Sequence, residues 1–286
     1  MGENNRPAIP EAIKREVRQR CGFGCVICGL PLYEYEHMKE WAKVKRHVAD
    51  EITLLCRKHH GEKTDRLLPI DKVFQADKEP YNLKNGVSRN VLLHYSGNEV
   101  EFMLGSCSFY YPALPMNSFA FPLVIDDTAI IGFMIDKGGL SISFSAFDEL
   151  NNPVLAIDRN ELIYSAYQWD IEWVGKILTI REGRGKILLQ LYFEPPKIIK
   201  VVKGRILFNG IELLVGSDYL FCTNSNNYLE RGYFYNCRIG LALGNLADGS
   251  GTAMKFARIP RYDVDRKSAR KKLREIRSKE RQNKKR

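Results

Sequence analysis

No run of about 18 apolar residues occurs in this chain, so no segment reads as a membrane-spanning helix. Residues 1–20, "MGENNRPAIPEAIKREVRQR", hold no apolar stretch of the kind a secretion signal needs. Arg6 stands where the myristoylation pattern requires Ser or Thr. The seven cysteines are an odd number. With no signal, that argues against a disulfide framework and for a reducing compartment. A cytoplasmic protein without a membrane partner is therefore expected. Histidine is scarce, five in 286 residues, yet His59 and His60 are neighbours in "LLCRKHHGEKT".

Excess charge is also absent from most of the chain. The net charge is +10, and residues 266–286, "RKSARKKLREIRSKERQNKKR", account for it with 12 Lys or Arg against 2 Glu. A tail of this kind can neutralise phosphates and release counterions without reading bases. Arg270, Lys271, Lys272 and Arg274 are its candidate nucleic-acid contacts. As structure, residues 263–286 read as a basic tail, either a polar helix or a disordered arm. Only Leu273 and Ile276 offer it an apolar contact.

Residues 10–20 read as a helix, with Ile13 and Val17 on one face and Gly22 as a stop. "HVADEITLLC" reads as a strand, and a second helix is expected from near Cys56 towards Thr64. Residues 69–86, with two prolines, several charges and "KNG", read as a linker. From 87 to 262 short β-branched and aromatic runs such as "AIIGFMI", "KILLQLYF" and "GYFYNCRIGLAL" alternate with turn material such as "ELNNP", "REGRG" and "FNG". This predicts one all-β domain, and periodicity leaves open a sandwich or a solenoid-like stack. Trp169 and Trp173 read as core, and Cys107, Cys222 and Cys237 as small buried residues.

Chemistry concentrates near the N-terminus. "CVIC" at 25–28 and "CRKH" at 56–59 are two pairs of soft ligands at the same spacing. Two intervening residues let a tight turn aim both members of a pair at one ion. Cys25, Cys28, Cys56 and His59 are thus expected to hold a structural Zn²⁺ in tetrahedral coordination. Such a site stabilises a segment too short to bury much core by itself. Neighbouring helical residues diverge by about 100°, so His60 must face elsewhere. "YEHM" at 35–38 offers Glu36 and His37, which could converge with His60 on a hard divalent cation and a water.

In this order, "CVICG", "YEHM", "ITLLC" and "HHGEKT" resemble the HNH endonuclease family, whose fold is the ββα-metal unit. The likeness covers roughly residues 10–66. It implies His37 as general base for the water that attacks a phosphodiester. It implies Glu36 and His60 as ligands of Mg²⁺ or another divalent metal, which stabilises charge on the phosphate and the departing 3′ oxygen. Lys63, one turn past His60, would meet a neighbouring phosphate. The chain departs from the family at three places: Glu36 replaces Asp, His59 replaces Cys, and Glu51 stands in the usual Asn position. An ionised Glu51 cannot donate a hydrogen bond as Asn does, so His47 or Asp50 is a candidate to replace it.

The expected architecture is α+β: a zinc-stabilised HNH domain at 1–68, a linker at 69–86, an all-β domain at 87–262 and the tail at 263–286. The expected activity is metal-dependent hydrolysis of DNA, with RNA left open. The β domain would supply control through a ligand, a protein partner or self-association, and defence against foreign DNA is a compatible role. The competing expectation is a zinc-containing nucleic-acid-binding or regulatory protein without catalysis.

Overall fold

A computed structural model describes residues 7–39, 41–136, 139–246 and 251–283. The first six residues of the expected N-terminal domain and the last three of the expected tail lie outside this range. The chain is of mixed α+β class, mostly sheet with few helices. Among the described residues no helix is long and apolar enough to cross a membrane.

The chain divides into two compact units. The first comprises the described residues up to Val91 with Ile163–Val174 and Ile180–Lys186; the second holds the remainder. In the first, helix α1 (Glu11–Arg20) ends at Gly22, whose φ of +67° suits glycine. Strands β1 (Glu34–His37) and β2 (Ile52–Leu55) pair antiparallel, with Glu34 opposite Leu55 and His37 opposite Ile52. The short helix α2 (Trp41–Val44) lies between them in sequence, and helix α3 (Arg57–Thr64) follows β2 directly. Every residue of β2 is buried, because Val17, Ile52, Leu54, Leu55 and Val73 form one core with Cys25 and Cys56.

The stretch expected as a linker is instead helical: α4 (Ile70–Lys78) and α5 (Tyr81–Asn85). Pro69 and Pro80, which suggested a break, cap these helices with φ of −60° and −59°. At a helix start the missing N–H costs nothing, since that donor has no intrahelical partner. Helix α5 supports the Cys25–Cys28 loop. Buried Asn82 donates to the Gly22 carbonyl (2.8 Å), and Tyr81 N–H donates to the Val26 carbonyl (3.0 Å). A Cβ on Gly24 or Gly29 would collide with the Asn82 side chain.

An ion-pair network also lies within the first unit. Arg18, 2% exposed, donates to both carboxylate oxygens of Asp170 at 2.8 and 3.0 Å, and to Tyr35 Oη at 2.8 Å. Arg181 donates to Asp170 at 2.9 Å. Asp170 is 1% exposed, so deleting it leaves the buried Arg18 guanidinium and Arg181 to share the more exposed Glu172. Asp170→Ala is expected to destabilise the first unit by about 3 to 5 kcal/mol. Denaturant titration with metal content held constant measures this; a change below about 1 kcal/mol would mean that the network contributes little.

In the second unit, one sheet runs in spatial order through Thr252–Phe256, Ile239–Leu243, Phe119–Ile125, Thr128–Asp136, Gly139–Phe147 and Pro153–Asp158. Another runs through Lys186–Glu194, Ile198–Phe208, Ile211–Val215, Leu220–Cys222 and Asn227–Leu229. The two face each other across aromatic rings. Phe102, on the strand beside Ile198–Phe208, meets Phe133 and Phe144 of the first sheet at ring centroids of 6.1 and 6.2 Å. Both members of the alternation in these strands follow this facing, with buried residues turned inward.

The tail forms helix α6 (Arg266–Asn283). It packs more firmly than its composition suggests. Ala269 and Leu273, four residues apart, are buried against Phe221. Arg270 donates to the fully buried Glu212 (2.8 Å), and Arg277 donates to Asp218 (2.6 Å). Arg270 was expected to face phosphates; its guanidinium is committed to Glu212 because that buried carboxylate needs cationic donors. Lys271, Lys272 and Arg274 remain exposed.

Candidate metal centre and histidine site

The two ligand pairs meet. One ligand atom from each of Cys25, Cys28, Cys56 and His59 lies within 4.8 Å of the others, a cluster that could hold a metal ion such as zinc. His59 Nδ1 is 3.3 Å from the sulfurs of both Cys25 and Cys56, and Cys28 Sγ is 3.8 Å from Cys56 Sγ. Zinc bonds of about 2.3 Å to sulfur and 2.0 Å to nitrogen would put tetrahedral corners about 3.5 to 3.8 Å apart. The donors present therefore fit that ion. Local folding explains the approach. Cys25 and Cys28 sit on a turn closed by Gly29 N–H donating to the Cys25 carbonyl (2.7 Å), while Cys56 caps α3 and His59 stands on its first turn. The neighbouring Cys25 thiol holds Cys28 below the usual thiol range, while Cys28 and burial push Cys25 up.

His60 turns away from this cluster towards β1. Its Nε2 is 2.9 Å from Glu36 Oε2, and its Nδ1 is 3.6 Å from Glu34 Oε2. Glu34 and Glu36 share one face of the strand because side chains alternate. Adjacent histidines on α3 therefore serve two different groups of residues. Glu34 was not singled out in the sequence, although its spacing of two from Glu36 is the signal that would have found it.

His37, 3% exposed, belongs to the other alternation of β1. Its Nε2 is 3.3 Å from His47 Nδ1, and its ring stands edge-on to Trp41 at 5.2 Å. Trp41 stacks on His47 at 4.7 Å. His47 Nε2 lies 2.8 Å from the Pro7 carbonyl, which can only accept, so this nitrogen carries the hydrogen. In a neutral His47 the Nδ1 atom then accepts, and His37 Nε2–H donates to it.

Glu51 is bound by Arg46, which donates from Nε at 3.0 Å and from Nη2 at 2.5 Å. The Arg46 guanidinium holds the Glu51 carboxyl below the usual carboxylate range. Its side chain therefore offers His37 no donor, and His47 is the residue that touches the ring. Lys63 also differs from expectation. It donates to Glu36 and to the His37 carbonyl (3.1 Å) and is only 15% exposed. Its place one turn after His60 aims it at β1, where an anionic carboxylate captures the ammonium before any outer phosphate can.

Comparison of the chain with protein-family models, with curated proteins and with solved structures gives no match.

Proposed function

We propose that this protein is a metal-dependent nuclease of HNH type, acting on phosphodiester bonds of DNA. One observation carries the reading: His60 Nε2 and Glu36 Oε2 stand 2.9 Å apart beside the cysteine-rich cluster. Magnesium bonds of about 2.1 Å place neighbouring octahedral ligands about 3.0 Å apart, so this donor pair fits a divalent ion. The ion, when bound, supplies positive charge to the phosphate and to the departing 3′ oxygen. Glu34 Oε2, 3.6 Å from His60 Nδ1, adds a second carboxylate beside the pair. His37 is the general base for the attacking water, and His47 Nδ1 stands 3.3 Å from its Nε2. His47 and Trp41 hold that ring in one orientation.

A second reading, a zinc-supported binding module without catalysis, is favoured by the burial of His37 and its place on the opposite alternation from Glu36. Plasmid nicking with Mg²⁺ or Mn²⁺ separates the two. The nuclease reading expects nicking by the native protein and a loss of about 10²- to 10⁴-fold in His37→Ala. Equal rates in both proteins would favour the binding module.

In either reading the exposed cations of α6 are phosphate contacts. Reversing Lys271, Lys272 and Arg274 to Glu should flatten the plot of log K against log salt by about 2 to 3 for duplex DNA. An unchanged slope would remove α6 from the interface. Truncating the helix is a poorer test, because it would uncover Phe221.

A further inference from the structure

An open cavity of about 480 Å³ lies in the first unit beside the Glu36–His60 pair and shares Lys63 with it. Leu68, Ile70 and Phe74 form apolar wall, Lys39 and Arg66 contribute cations, and Lys63 is already paired with Glu36. None of its nine lining residues is acidic. Met38, which also lines it, directly follows His37. The volume falls within the range of about 300 to 1,000 Å³ typical of small-molecule sites. Ile70 is 37% exposed and neighbouring Leu67 is 75% exposed, so the apolar wall opens to solvent.

We propose that this cavity takes a single unstacked base of the nucleic-acid strand, next to the phosphate held at Glu36 and His60. The charge pattern selects the occupant. A nucleotide joins an apolar, polarisable ring to an anionic phosphate, which is the complement of an apolar wall edged by the exposed cations Lys39 and Arg66, with no acidic residue in the lining. Helix α4 contributes Phe74 and Ile70 to the lining, while Arg66, two residues past the end of α3, has a left-handed conformation, φ +62°. A base stacked inside a duplex cannot enter such a cavity, so the strand must be single or locally opened there. The proposal rests on the nuclease reading only for the phosphate's neighbourhood to Glu36 and His60.

The test uses full-length, zinc-loaded protein without added magnesium, and short single-stranded DNA in which an abasic nucleotide is moved along the strand. Fluorescence anisotropy gives the affinity. One position is expected at which the missing base weakens binding about tenfold. Ile70→Asp, a change at an exposed helix start, should weaken binding of the intact strand by a similar factor. It should also make binding indifferent to the missing base, since both changes remove one contact. Phe74→Ala, with zinc content checked, serves as the second variant. The proposal is overturned if no strand position is sensitive, if both variants bind like the native protein, or if the native protein binds no strand. Adenosine monophosphate binding as tightly as the strand would also overturn it. Absence of nicking with pocket-dependent strand binding would end the nuclease reading alone; nicking with unaltered binding in both variants would end this one alone.

Discussion

Cys56→Ser is expected to leave the first unit without a cooperative fold. Cys56 holds two positions at once: its sulfur is 3.3 Å from His59 Nδ1, and its carbonyl accepts the first bond of α3 from His60 N–H at 2.8 Å. A metal ion held by the four-residue cluster would tie together the Cys25–Cys28 loop, the end of β2 and the start of α3, which share one core. Structural zinc in small domains contributes apparent binding energies of about 10 to 16 kcal/mol near neutral pH. Whole domains are stable by only about 5 to 15 kcal/mol, so the ion's contribution is as large as the whole stability of a domain. Zinc analysis should find one equivalent per native chain. The variant, or the native protein treated with a strong chelator, should lose the protection of β2 amides against hydrogen exchange. Full protection after complete metal removal would mean that the cluster is a passive group of buried thiols.

The second large effect separates the two adjacent histidines. His59→Ala should behave like Cys56→Ser, losing zinc and fold together. His60→Ala should retain one zinc and its thermal transition, because His60 is half exposed and makes no contact with the cysteine sulfurs. Its expected defect is chemical: nicking reduced by about 10² or more, as when a metal ligand with a catalytic role is removed. Glu36→Ala should share that defect. It also frees the Lys63 ammonium from its carboxylate, so Glu36→Gln is the cleaner variant, keeping an acceptor oxygen for Lys63 while removing charge from the ion.

Much of the candidate site was legible because its chemistry is local. Two pairs of ligand residues at a fixed spacing point to one shared cluster whatever the intervening chain does, and a period of 3.6 forces His59 and His60 apart. What escaped the sequence depends on distance. Arg18 and Asp170 are separated by 152 positions, and nothing near either one announces a buried ion pair. The same holds for Glu212, which draws Arg270 out of the expected phosphate-binding set across 58 positions. Prolines 69 and 80 misled for another reason: they break a helix from inside but start one readily, and position within the element is invisible in composition. Ala269 was overlooked because alanine seems too small to anchor a helix, yet with Leu273 it completes a stripe that Phe221 covers. Replacement of the usual Asn by Glu51 was visible. The answer to it was not, because His47 reaches His37 through a loop whose path the residues alone do not dictate.

The arrangement also orders the functions of α3. Its first turn presents His59 to the sulfurs, and the next residue presents His60 to the strand that carries Glu34 and Glu36. Lys63 closes the row by donating to Glu36 and to the His37 backbone. A short helix without a buried residue of its own is thus held by polar contacts on one side and by the metal cluster on the other.

Titration of Mn²⁺ into zinc-loaded protein, followed by the loss of its free electron paramagnetic resonance signal, probes the ion pair most directly. One labile Mn²⁺ should bind to the native chain and vanish from both His60→Ala and Glu36→Gln, with the zinc equivalent intact throughout. Manganese bound equally by all three proteins, or by none, would contradict the assignment of positions 36 and 60 as ligands.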